Sequence, residues 1–143
     1  MAAWKAHNKD LHDRCAYLNS LGIETLEYKA SNGTDLTVGM IPQARFCGET
    51  TEQGVSFNPN MPTEECFISP MKGKAEGIVY SSKPLSYQGQ LIDDFWFRFE
   101  NGKVVEAYAE KNNALLQKMI NMDEGARYLG ECALVPYNSP INR

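Results

Sequence analysis

The spacing of apolar positions changes from helical to strand-like along the N-terminal part of the chain. Between residues 4 and 21 apolar side chains recur at intervals of three, four or seven, and Gly22 is typical of a helix C-cap. The apolar-rich runs "IETLEYKA" and "TDLTVGMI" follow, joined through Asn32-Gly33, a pair that favours a tight turn. This part therefore predicts one amphipathic helix and one β-hairpin.

The clearest alternation lies in "LIDDFWFRFENGKVVEAYAE", residues 91 to 110. Phe95, Phe97 and Phe99 alternate with other side chains, as expected when one face of a strand is buried. Asn101-Gly102 is the dipeptide that a type I′ turn prefers, so a second strand should return after it. We expect the aromatic stripe to pack against a core.

The C-terminal part predicts short helices and one more strand. "NNALLQKMIN" has helical spacing, Asp123 can N-cap a short helix over "EGARYLG", and "ECALVPY" reads as a strand. Residues 43 to 62 are rich in Gly, Thr, Asn and Pro and are expected to form mainly loop. The predicted class is α+β, with antiparallel hairpins, a mixed sheet, an N-terminal helix and two short helices near the C-terminal end. Residues 1–143 are expected to form a single domain.

Charge and hydropathy limit the classes of partner that are expected for this chain. Asp and Glu number 18 against 14 Lys and Arg, and no basic cluster could neutralise a row of phosphates, so nucleic acid is not expected as a partner. No apolar run approaches the roughly 18 to 20 residues that span a bilayer. "MAAWKAHNKD" turns polar too soon for a signal peptide. A cytoplasmic protein without a membrane partner is expected.

The cysteines and histidines form no motif by spacing. Cys15, Cys47, Cys66 and Cys132 are far apart, without zinc-site spacing, and are expected to be reduced and mostly buried. His7 and His12 are five residues apart, about 140° around a helix axis, so they cannot act as an HExxH pair. Both are interpreted as solvated helix residues.

Three carboxylates stand in unusual surroundings. Glu64 and Glu65 are adjacent in "NPNMPTEECFISP", which has no Lys or Arg, and Glu131 follows Gly130 at the start of an apolar strand. A buried carboxylate must be hydrogen-bonded, ion-paired or metal-bound, because an isolated one is costly to keep ionised. From the residues alone, a solvated or helix-capping pair and a metal site both remain open.

Two long stretches carry a family resemblance. "NMPTEECFISPMKGKAEGIVYSSKPLSYQGQLIDDF" and "DEGARYLGECALVPYNSPI" resemble the thermophilic-type metalloaminopeptidases, the aminopeptidase T, aminopeptidase S and PepS group. In that family a P-T-E-E-x-F segment precedes a G-E-x-A-L-V-P segment. "HNKDLHDRCAYLNSLGIETLEY" and "GTDLTVGM" look like its middle region, so the resemblance covers nearly the whole chain.

The resemblance implies a hydrolase that removes N-terminal residues from peptides with a pair of divalent metals, zinc, cobalt or manganese, and that forms a homodimer. The glutamate of the second motif maps onto Glu131, and the second glutamate of the first motif onto Glu65; both would be metal ligands. Neighbouring side chains of an extended backbone point to opposite sides, so Glu64 should not reach the same ion. Glu64 is left as a candidate general base.

The resemblance does not extend to all the ligands that would complete the metal site. The family's further ligands, two histidines, a tyrosine and an aspartate, lie downstream of "SPINR", and its N-terminal domain lies upstream. Two carboxylates alone would hold a metal weakly and position no water. The chain is therefore expected to be a fragment of the catalytic region that is inactive alone. The alternative is a scaffold or assembly module that keeps the fold without catalysis.

Overall fold

The computed structural model describes residues 2–48, 55, 57, 58 and 63–142, and most of the predicted loop over residues 43 to 62 lies outside them. The elements are, in chain order, α1 (Ala2–Ser20), β1 (Thr25–Lys29), β2 (Asp35–Met40), β3 (Cys66–Ile68), β4 (Pro70–Tyr80), β5 (Leu85–Tyr87), β6 (Gln90–Glu100), β7 (Lys103–Lys111), α2 (Asn113–Ile120), β8 (Cys132–Leu134) and a 3-10 turn (Pro140–Asn142). The predicted α+β class is confirmed.

The chain forms two compact units. Unit 1 consists of Met1–Glu24, Ile41–Ser69 and Glu131–Arg143, and unit 2 of Thr25–Met40 and Pro70–Gly130. Unit 1 contains α1, β3 and β8, whereas unit 2 contains the other strands and α2. Whether residues 1–143 act as one domain stays a prediction.

Unit 2 is built on a six-stranded sheet with the order β1-β2-β4-β6-β5, in which β7 also pairs with β6. All the strand pairs that the structure describes are antiparallel, although we expected a mixed sheet. Several connections are tight hairpins, and such short connections can join only antiparallel neighbours. One of them is the predicted Asn101-Gly102 turn, whose positive φ values of 50° and 77° fit type I′.

The core of unit 2 lies where α2 packs on β6 and β7. Ile92, Ala109 and Leu116 are its buried centre. Phe95 and Phe97 of the aromatic stripe pack against that centre, with their ring centroids 5.7 Å apart. The prediction that the stripe packs a core is confirmed.

Truncation of Ile92 should be among the costly changes in this core, because its side chain is fully buried at 0% exposure. We expect Ile92→Ala to lower the free energy of unfolding by about 2 to 5 kcal/mol. Chemical denaturation followed by circular dichroism measures this. The neighbouring Leu91 is 43% exposed and provides the control, since Leu91→Ala should cost less than about 1 kcal/mol. Equal losses in the two variants would contradict this description of the core.

The helix predicted after Asp123 does not form. Asp123 does accept hydrogen bonds from the backbone N–H groups of Gly125 and Ala126, but these close a turn. Arg127 instead pairs with β7 through its backbone and its side chain. The Val104 N–H donates to the Arg127 carbonyl at 2.8 Å, and the Arg127 guanidinium donates to the Val104 carbonyl at 2.8 Å. Tertiary pairing thus takes the groups that a short helix containing a glycine would have needed.

Unit 1 places α1 against β3. Leu11 and Cys15 are the buried residues of α1, and Gly22, with φ of 61°, confirms the predicted C-cap. The Cys66 thiol lies 3.9 Å from the Leu11 carbonyl oxygen, which ties β3 to the helix. Neither α1 nor α2 has the length and hydropathy of a membrane-spanning helix.

Candidate functional site

The two glutamate motifs meet in the small sheet of unit 1. β3 pairs with β8 in antiparallel register, from Cys66 opposite Leu134 to Ile68 opposite Cys132. On its other edge β3 pairs with Cys47, which exchanges two backbone hydrogen bonds with Phe67 at 2.9 and 3.0 Å. The P-T-E-E and G-E-x-A-L-V-P segments are therefore neighbours in space although they are far apart in sequence.

The register sorts the glutamates onto two faces. Paired residues share a face and successive residues alternate, so continuing the register by one residue at each strand start puts Glu65 and Glu131 on the same face as Phe67. This open face also carries Cys47. Glu65 is half-buried and Glu131 is exposed. Both predicted ligands thus belong to one accessible surface.

Glu64 belongs to the opposite face, which packs against the interior of unit 1. It shares that face with the buried Cys66 and Ile68 and is itself only 8% exposed. Ser139 Oγ donates a hydrogen bond to Glu64 Oε2 at 2.9 Å, and His7 Nε2 lies 3.6 Å from Glu64 Oε1. The burial of Glu64 is therefore compensated within the protein. Its catalytic role stays a prediction.

Glu65 and Glu131 differ from Glu64 in their surroundings. Among the residues that the structure describes, neither carboxylate has a hydrogen-bond or ion-pair partner. The Glu131 carboxylate is nevertheless felt by its neighbour: burial raises the pKa of the Cys47 thiol, and the negative charge of Glu131 raises it further. This electrostatic coupling fits the shared open face of Glu131 and Cys47.

The two carboxylates enter the open face from opposite ends of the ladder. Glu65 immediately precedes β3, and Glu131, which immediately precedes β8, lies opposite Ser69 when the register is continued by one pair. Glu65 and Ser69 are four residues apart, which corresponds to an offset of about 13 Å along the strands. The side chains of Glu65 and Glu131 would have to lean toward each other for both carboxylates to reach one metal centre.

As donors, two carboxylates fit a divalent ion in chemistry, since oxygen ligands suit hard or borderline cations. They are too few to complete a site. No group of three or more His, Cys, Asp and Glu side chains in the described part of the chain could hold a metal ion. Glu65 and Glu131 therefore fit as part of a donor set.

Sequence reasoning missed two residues that contact Glu64, namely His7 and Ser139. His7 is half-buried and hydrogen-bonds the Thr63 carbonyl oxygen at 2.7 Å, so interpreting it as solvated was wrong, whereas His12 is exposed as expected. The error arose because helical spacing separates the two faces of α1 without telling which one meets β3. Ser139 lies near the end of "DEGARYLGECALVPYNSPI", one of the stretches that carry the family resemblance, but outside the G-E-x-A-L-V-P motif.

Comparison with known proteins identifies the family. A family model described as thermophilic metalloprotease (M29) matches residues 1–143. The chain belongs to this metalloprotease family. Its relatives carry aminopeptidase names, which confirms the resemblance and supports a metal-dependent peptidase by family.

Relatives and a solved structure in the M29 family cover almost all of the chain. Aminopeptidase T of Thermus aquaticus is 46% identical over 143 residues, and aminopeptidase AmpS of Bacillus subtilis is 44% identical over 144 residues. Each match takes in 99% of this chain. The structure of wild-type AmpT from Thermus thermophilus superposes with a TM-score of 0.91 at 45% identity, over 99% of this chain.

The match covers only part of those M29 proteins. The chain spans 35% of the length of aminopeptidase T and of AmpS, and 36% of the solved AmpT chain.

Proposed function

We propose that this chain provides two carboxylate ligands, Glu65 and Glu131, to the divalent-metal pair of an aminopeptidase that hydrolyses N-terminal residues from peptides. The observation that carries the proposal is the register of β3 and β8, which gives both glutamates the same open face and gives Glu64 the buried one. The choice of Glu65 over Glu64 thus has a physical basis independent of the motif.

The offset between the two carboxylates favours two ions over one. Metals of a two-metal site lie about 3.5 to 4 Å apart, and each ligand bond adds about 2 Å, so ligand oxygens at its outer sides are separated by about 8 Å. Glu65 and Glu131, offset by about 13 Å at their backbones, can approach such a width by leaning inward. A single ion would require them to converge much further.

The mechanism assigns limited roles to this part of the protein. When bound, the ions supply polarisation of the scissile carbonyl and a more acidic water. Glu65 and Glu131 hold negative charge on the open face, which would offset the positive charge of the bound ions. The accessibility of Glu131 leaves room for a peptide to approach that face.

The remaining properties are part of the same proposal. Zinc, cobalt or manganese would be bound, and the intact enzyme would be a cytoplasmic homodimer acting on peptide substrates. Residues 1–143 would form one domain of the catalytic region. The further ligands would come from outside the described residues, since those residues hold no cluster of three potential ligands. The chain taken alone would then be inactive.

A comparison of two lengths of the protein tests this proposal. At the full length that its gene encodes, the protein should release N-terminal residues from a short peptide, lose this activity with a chelator and regain it with Zn²⁺, Co²⁺ or Mn²⁺. The isolated 143-residue chain should show no hydrolysis and only weak binding of Zn²⁺ or Mn²⁺ by calorimetry, because two carboxylates make a poor site.

Two results would contradict the proposal in different ways. Sub-micromolar binding by the 143-residue chain would mean that it contains further ligands. A full-length protein that is folded, binds no divalent metal and does not hydrolyse peptides would instead favour the non-catalytic scaffold or assembly module.

A further inference from the structure

The buried carboxylate of Glu64 joins parts of unit 1 that are distant in sequence. Ser139, which is 3% exposed, donates a hydrogen bond from its hydroxyl group to Glu64 Oε2, although the two residues are 75 positions apart in the chain. The backbone N–H of Ile141 lies 3.4 Å from the same hydroxyl oxygen and donates to it, which leaves the hydroxyl proton directed at Glu64. The Ser139 hydroxyl thus accepts one hydrogen bond and donates another, which fixes its orientation toward Glu64.

His7 of α1 contacts residues 63 and 64 from the side of the helix. Its Nε2 lies 2.7 Å from the Thr63 carbonyl oxygen. Because a carbonyl can only accept, Nε2 carries the proton, and the same nitrogen faces Glu64 Oε1 at 3.6 Å. Residues 63 and 64 are thus fixed by a helix and by the C-terminal segment together.

We propose that Glu64 is a positioning residue that sets the orientation of the metal ligand Glu65, with Ser139 and His7 as its partners. The inference rests on the proposed function, because it takes Glu65 to be a ligand. The alternation of buried and partly exposed positions in β3 continues through Glu65 and Glu64, so fixing Glu64 toward the interior directs Glu65 to the open face. A slip of one residue would exchange the two side chains.

The surroundings of Glu64 are poorly suited to a general base. One carboxylate oxygen is engaged by Ser139 and the other faces His7, on the face opposite to Glu65 and Glu131. A general base must come within about 2.6 to 3.2 Å of the proton that it removes, or act through one water. The role that this geometry supports is mechanical, and it acts through Glu65.

Three variants separate positioning from catalysis in the full-length protein. Ser139→Ala and Glu64→Ala should weaken Mn²⁺ binding by about 10- to 100-fold, as is typical when partners of metal ligands are removed. Their kcat should recover at saturating Mn²⁺. Glu64→Gln keeps the size of the side chain and an acceptor for Ser139, so its kcat at saturating Mn²⁺ should fall by less than about tenfold, against the roughly 100- to 10,000-fold of a lost general base.

The matched control removes a similar hydrogen bond elsewhere. Thr34 is 8% exposed, and its hydroxyl accepts a hydrogen bond from the Tyr80 N–H at 3.0 Å in unit 2. Thr34→Ala should lower the thermal midpoint without changing Mn²⁺ affinity. A Mn²⁺ competition assay with a chromophoric chelator, a thermal melt and steady-state kinetics give the three readouts.

The positioning role is overturned if Ser139→Ala folds and binds Mn²⁺ as tightly as wild type. It is also overturned if Glu64→Gln loses more than about tenfold in kcat at saturating Mn²⁺, which would return Glu64 to the catalytic set. If Ser139→Ala does not fold, Glu64→Gln decides alone. Failure of the proposed function is distinct, since Glu65→Gln would then keep its metal and its activity.

Discussion

Glu131→Gln is expected to abolish peptide hydrolysis in the full-length protein and to remove most of its bound metal. The variant keeps the shape of the side chain but loses the negative charge that a divalent ion needs beside it. Loss of an outer partner already costs about 10- to 100-fold in metal affinity or activity, so loss of a direct ligand should cost more than about 100-fold. Metal analysis of the purified protein and kcat/KM for a peptide substrate provide the measurement.

Glu65→Gln should behave in the same way, because both carboxylates lie on one open face. Glu24→Gln, which removes an exposed carboxylate of unit 1, is the control for the change in net charge and should keep full activity and metal content. An active, fully metallated Glu65→Gln variant would contradict the ligand assignment and transfer attention to Glu64.

A Gly77→Ala substitution should cause a large loss of stability in unit 2. Gly77 has φ of 110°, and a Cβ added there would lie 2.1 Å from the backbone oxygen of Asp35 in the neighbouring strand. The β2–β4 pairing at Leu36 would have to shift, because a backbone oxygen cannot rotate away as a side chain can. We expect a loss of about 3 to 5 kcal/mol in the free energy of unfolding, measured by guanidinium denaturation.

Gly89 provides a control that separates backbone strain from the steric clash. It also has a positive φ, 73°, but a Cβ added there meets nothing within 4 Å. Gly89→Ala should therefore cost about 1 to 2 kcal/mol, the strain of a left-handed conformation alone. Similar losses in the two variants would show that the close approach of Asp35 does not limit position 77.

Local patterns predicted most elements because the signals for them lie within each element or in the turn that joins two neighbours. The Asn101-Gly102 turn follows from the positive φ values that type I′ turns require, and the Phe95 to Phe99 stripe from strand alternation. The helix predicted after Asp123 was wrong because a long-range contact decides this segment. The Arg127 carbonyl accepts a hydrogen bond from Val104, which lies in a different element. No local pattern encodes that contact.

The candidate site could be proposed from the sequence in part for a similar reason. Motif resemblance and strand alternation together singled out Glu65 and Glu131, and the register that puts them on one face repeats the same period-two rule. His7 and Ser139 could not be found in this way. Their contacts to residues 63 and 64 span 56 and 75 positions, and neither belongs to one of the two glutamate motifs.

The composition of unit 1 from three separate stretches has a consequence for the timing of folding. The two stretches of unit 2 lie between those of unit 1 in the chain, and its hairpins bring together residues that are close in sequence. Such local contacts form early, whereas β8 and Ser139 leave the ribosome only after all of unit 2 has been made. Glu64 can be fixed, and Glu65 oriented, only after Ser139 has been made. The open face proposed to bind metal should therefore form only after most of the sheet of unit 2 has folded.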